Sequence, residues 1–134
     1  MDDDARPTGA VPPTHDPLQM TVSRTRLGKD AGVRVSGEID MLTAPTLLAF
    51  ILAAVEDSPS GLGVDLTDVA FLDSSGVQVL VQAAAQATLA GTSFYLLCPP
   101  GNAVVRRVLD ILQVGSVITI VERLAGPPAS PIPG

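Results

Sequence analysis

The sequence predicts an α/β domain, a mixed and mostly parallel β-sheet covered by α-helices, with elements in the order β-β-α-β-α-β-α-β. Three observations carry this. Two extended segments near the start are joined by a tight turn. After them, stretches of helical period alternate with short apolar runs, and parallel strands need such crossovers between them. Apolar residues make up 46% of a 134-residue chain, enough to bury one core without metal or disulfide support.

Residues 1–18 read as a disordered arm, since Pro7, Pro12, Pro13 and Pro17 stand among Asp, Thr and Gly and too little apolar surface is present to offset ordering. Residues 125–134, with Gly126, Pro127, Pro128, Pro131 and Pro133, read as a disordered tail, which leaves 19–124 as the domain. Met20–Leu27 and Val33–Ile39 form the hairpin around a Gly28–Asp30 turn. The period then changes, and Leu47, Leu48, Ile51 and Val55 mark a helix with Thr43 as its N-cap and Pro45 in its first turn.

Leu62–Thr67 is a short buried strand, and Val69–Leu72 a further apolar strand end that leads into the next helix. That helix carries Val77, Leu80, Val81, Ala84 and Thr88 on its inner stripe and stops at Gly91. Ser93–Cys98 is another buried strand. Asn102–Leu112 is a third helix, packed through Val104, Val105, Val108 and Leu112, and Ser116–Val121 is the last strand. Phe50, Ala53 and Ala54 on the first helix belong either to a wide core stripe or to a contact patch.

Composition narrows the function. Cys98 is the only cysteine, so an intramolecular disulfide and a cysteine-rich zinc site are both ruled out, and a reducing, cytoplasmic setting is expected. The Asp2-Asp3-Asp4 start is the opposite of a cationic signal peptide. The longest apolar run, Leu47 to Val55, is too short for a membrane span. With a net charge of −6, scattered basic residues and few aromatics, neither a nucleic-acid surface nor a base-stacking platform is in view. Membrane and nucleic acid are therefore not expected partners, and no cofactor is expected.

The chemical handle is Asp73-Ser74-Ser75-Gly76, two hydroxyls where a strand end meets a helix and backbone N–H groups are left unpaired. A helix cap reads equally from this tetrapeptide, because Asp and Ser favour that position. A hydrolase nucleophile does not fit: Leu72-Asp73 supplies no glycine for a G-x-S-x-G elbow, and the only histidine is His15 in the arm. No G-x-G-x-x-G or Walker-type phosphate loop is present, so nucleotide would be bound by a partner. Cys98 reads as a core thiol, Glu38 and Asp40 as strand-end acids too few for a metal, and Arg106 and Arg107 as exposed helix residues or contacts to an acidic partner.

Gly37-Glu38-Ile39-Asp40, closing the second strand, taken with Asp73-Ser74-Ser75-Gly76-Val77 and the Val104-Val105-Arg106-Arg107-Val108-Leu109 helix, resembles the STAS family and specifically the bacterial anti-sigma factor antagonists. The resemblance covers Met20 to Leu124 and implies a STAS-like single domain that is not an enzyme. It implies a cytoplasmic protein that binds an anti-sigma factor serine kinase when unphosphorylated and so frees a sigma factor. The kinase then uses ATP to phosphorylate the antagonist, and a phosphatase resets it.

On the same resemblance the phosphoacceptor is Ser74, and Asp40, Asp73, Ser75 and Gly76 belong to the partner-binding surface. Val77-Gln78 departs from the bulky residue and glycine that often follow the motif. The alternative is a non-switching STAS interaction module of a transport or sensory complex.

Overall fold

A computed structural model describes residues 19–124; the arm and tail read from the sequence lie outside the described residues. Strands β1 (Met20–Leu27), β2 (Asp30–Ile39), β3 (Gly61–Leu72), β4 (Ser93–Leu97) and β5 (Thr119–Val121) form one sheet in sequential order. β1 pairs antiparallel with β2, and the remaining pairings are parallel. Helices α1 (Ala44–Glu56), α2 (Ser74–Leu89) and α3 (Ala103–Ile111) occupy the three crossovers, and a short 3-10 turn, Val114–Ser116, precedes β5.

The hairpin closes through Gly28 and Lys29 alone, with Leu27 paired to Asp30. Gly28 has φ +63, as two-residue hairpin turns with glycine first require. In-register parallel neighbours point the same way, so Val33, Val64, Leu96 and Ile120 share a face. That face forms the core with Leu47 and Ile51 of α1, Leu80 and Ala83 of α2, and Val105 and Leu109 of α3. The opposite face carries Gly32, Gly63, Tyr95 and Thr119 in one row.

Four sequence expectations change. The two apolar segments before α2 are one continuous twelve-residue strand, because β2 follows β3 past Thr67 and Asp68 by two register shifts. The last strand is shorter than expected: Ser116 lies in the 3-10 turn and pairing starts at Thr119. In α2, Val79, Ala83 and Ala87 join the buried stripe and Thr88 leaves it, since this helix packs on α1 as well as on the sheet. In α3 only Val105 and Leu109 are buried, while Val104 and Leu112 are 57% and 44% exposed. Of the apolar residues flanking α1, Ala54 is wholly buried, Phe50 packs partly against the core and Ala53 is exposed.

Beyond Asp65 the β3–β4 ladder ends, and Asn102 takes over the open edge. Its Nδ2 donates to the carbonyls of Leu66 (3.0 Å) and Val69 (2.8 Å), while its Oδ1 accepts the Val105 N–H at 3.2 Å and caps α3. One side chain thus satisfies strand carbonyls and a helix N-terminus together. Cys98 is buried as expected, and that burial raises its thiol above the ordinary value, against the opposing pull of Arg106.

Candidate functional site

Ile39 and Leu72 end β2 and β3 side by side, and the Asp73 N–H donates to the Ile39 carbonyl at 3.2 Å. The β2–α1 loop and the start of α2 therefore leave the sheet together. Asp73 is extended, at φ −113 and ψ −174, and its Oδ1 accepts the Gly76 N–H at 3.1 Å. Of the tetrapeptide that the sequence offers as a cap, it is Asp73 that caps α2, and Ser74 follows as the first helical residue. A Cβ at position 76 would lie 2.5 Å from Leu72 Cδ1 and 2.6 Å from Ile39 Cγ2. Gly76 is buried, and its bare backbone is what lets α2 seat on the strand ends.

Ser74 is exposed and Ser75 half-buried. Among the described residues neither their hydroxyls nor their N–H groups hydrogen-bond, which leaves two helix N-terminal donors open beside two free hydroxyls.

Asp40 is half-buried and committed to its loop. Its Oδ1 accepts the N–H groups of Leu42 (2.9 Å) and Thr43 (3.1 Å), and its Oδ2 accepts Gln19 Nε2 at 3.0 Å. The same Gln19 amide reaches Glu38 Oε1 at 3.3 Å and so separates two acids. Thr43 stands at the N-cap position of α1 as expected, but its side chain makes no cap hydrogen bond. Its Oγ1 instead accepts the Asp40 N–H and donates to the Glu38 carbonyl, both at 2.9 Å, which braces the loop from within.

The braced loop holds up what the sequence reading overlooked. Met41 and Leu42 are 72% and 65% exposed, and Phe71, in register with Glu38, is 45% exposed. They put three large exposed apolar side chains at the end of the strands where α2 begins, while Leu89, Val104, Ile111, Leu112 and Val117 are exposed elsewhere in the domain. A signal was present in the sequence: Met41-Leu42 directly follows a turn-forming Asp, where a solvated loop would be polar. Glu38, Asp40 and Asp73 make the same end acidic, and none of them ion-pairs among the described residues.

Among the described residues no group of three ligating side chains could hold a metal ion, and no helix is long and apolar enough to cross a membrane.

The sequence profile of the STAS domain matches residues 24–126. A curated protein of Mycobacterium tuberculosis, the anti-sigma-F factor antagonist RsfB, is 30% identical over 108 residues, which cover 81% of this chain and 86% of that protein. A crystal structure of an anti-sigma factor antagonist from Mycobacterium paratuberculosis is also 30% identical, with a TM-score of 0.68 over 79% of this chain and 88% of its own. The anti-sigma factor antagonist SpoIIAA in its unphosphorylated form shares the fold at 21% identity, with a TM-score of 0.58 over 75% and 88% of the two chains. With the profile spanning most of the chain and a relative at this identity along the same stretch, the protein belongs to the STAS domain family.

Proposed function

We propose that this protein is an anti-sigma factor antagonist that binds an anti-sigma factor serine kinase in the cytoplasm while unphosphorylated, and that phosphorylation of Ser74 ends the complex. The observation that carries the reading is the position of Ser74: an exposed hydroxyl, unbonded among the described residues, at the first turn of α2, beside the loop that displays Met41 and Leu42. The names of the relatives at 30% identity point the same way.

The switch follows from where charge is tolerated. A phosphate adds about −1.5 to −2 charges and three strong acceptors. In the free protein it stays in water, next to the open Ser74 and Ser75 N–H groups and the positive end of the α2 dipole, worth roughly 0.3–1 kcal/mol. Under a docked partner the same dianion is desolvated beside Asp73, whose carboxylate is held at the cap. Each 1.4 kcal/mol or so of that penalty weakens binding about tenfold. Asp40, Asp73 and Gly76 then act by positioning, and Ser74, Met41, Leu42 and Phe71 meet the partner.

Incubation with the cognate kinase and ATP, followed by intact mass, tests this directly. One added phosphate that is absent from Ser74→Ala is expected, together with kinase binding kept by Ser74→Ala and lost by Ser74→Glu. Equal affinity of those two variants rejects the switch, and absence of any phosphate favours the non-switching module.

A further inference from the structure

The face of the sheet without helices is hollowed at the N-terminal ends of its parallel strands, where a cavity of about 350 Å³ opens between the Gly28–Lys29 turn and the residues after β5. Its shape has a cause in the sequence. One row of residues, Thr25, Gly32, Gly63, Tyr95 and Thr119, crosses all five strands on this face. A Cβ at position 63 would lie 2.5 Å from Tyr95 Cζ and 2.7 Å from Leu27 Cδ1, and one at position 32 would lie 2.7 Å from Leu27 Cγ. Leu27 and Tyr95 thus lie down over two glycines and form an apolar floor instead of a ridge.

Val121 and Leu124 add apolar lining, and Ser93 and Thr119 also border the cavity. Lys29 and Arg123 supply two positive charges, and neither is ion-paired among the described residues. The only acid in the lining is Asp30, and its Oδ2 accepts the Tyr95 hydroxyl at 3.2 Å. Among the described residues the lining thus sets two cations against one carboxylate beside an apolar floor, and the volume is at the small end of the range for ligand sites.

We propose that this cavity binds a small amphipathic carboxylate, a medium-chain fatty acid anion, with its chain on Leu27, Tyr95, Val121 and Leu124 and its carboxylate held by Lys29 and Arg123. Both cations offer charge-assisted hydrogen bonds to such a head group, and the floor removes the hydrocarbon from water. The site lies at the opposite end of the strands from Ser74, so it stands or falls independently of the kinase reading.

The chain has one tyrosine and no tryptophan, which makes Tyr95 emission a reporter for this cavity alone. Titration of the full chain with decanoate, well below its micelle concentration, is expected to change that emission saturably. The Lys29→Ala, Arg123→Ala double variant should bind roughly tenfold more weakly or worse. Both residues are exposed, so an unchanged melting temperature is expected to accompany that loss. Decyltrimethylammonium, with the charge reversed, should give no saturable change.

The absence of a saturable response to decanoate overturns the proposal. So does equal affinity of the double variant, which would place the acid elsewhere. Binding to phosphatidylglycerol vesicles without binding to monomeric decanoate also overturns it, in favour of a lipid surface.

Discussion

At the C-terminal ends of β2 and β3 the polar side chains are turned inward to hold loops and the apolar ones are displayed, whereas at the N-terminal ends of the parallel strands the apolar groups make a floor and the charges stand at its rim. The contrast follows from strand direction. Parallel strands deliver their C-terminal ends to helix N-termini, where open N–H groups and the helix dipole already favour an anion. There the side chains are free to build a platform, and Asp40, Thr43 and Asp73 are spent on bracing. At the other end helices finish and a hairpin turns, so an anion has to be held by side chains, here Lys29 and Arg123.

Substitutions at the two glycine contacts break this comparison most severely. Gly76→Val drives a branched side chain into Leu72 and Ile39, both buried, and is expected to destabilise by about 2–3 kcal/mol in denaturant melts. Gly63→Ala meets the partly exposed Tyr95 ring and the buried Leu27 side chain with a single methyl, so a smaller loss of about 1–2 kcal/mol is expected along with changed Tyr95 emission. Equal losses at the two positions would mean that the ends are equally rigid.

Asp73→Ala removes the α2 cap and should cost about 1 kcal/mol, with phosphorylation of Ser74 slowed but not abolished. A smaller effect separates the ends by pH. Burial, helped by the Asp30 charge and hydrogen bond, pushes the Tyr95 hydroxyl up from 10.0 to about 12. The unfolded chain loses this proton first, so the contribution is fully present below pH 10 and is lost as pH rises from 10 towards 12. Tyr95→Phe should flatten that alkaline slope in melts followed against pH.

The smallest change in stability is expected for Met41→Ser with Leu42→Ser, within about 0.5 kcal/mol, because both side chains already face water. The same double substitution should weaken partner binding about tenfold or more in a titration calorimeter. Unchanged affinity would separate the loop from the docking surface.

Legibility differed between elements for physical reasons. The hairpin, the alternation of strand and helix, and the tetrapeptide at the start of α2 were all readable, because turns, caps and periodicity are set by neighbours in sequence. α3 misled: Val104 and Leu112 share its period with Val105 and Leu109, yet only Val105 and Leu109 are buried and Val108 packs partly against the core, while Val104 and Leu112 face water. β3 was read as two pieces because Thr67-Asp68 looks like a break, and only the paired β2 carries the ladder across it.

Local chemistry by itself determined where the chain turns, which residue caps α2 and which hydroxyl follows that cap. Those outcomes depend on φ/ψ preference and on hydrogen bonds spanning a few residues. Tertiary structure alone decided that Asp40 would commit its carboxylate to a loop, that Met41, Leu42 and Phe71 would be left exposed at the same end of the strands, and that two glycines thirty-one residues apart would lie side by side to hollow out the far end of the sheet. Such contacts join segments that meet only when strands pair in register, and no local preference encodes which face a residue shares with a distant one.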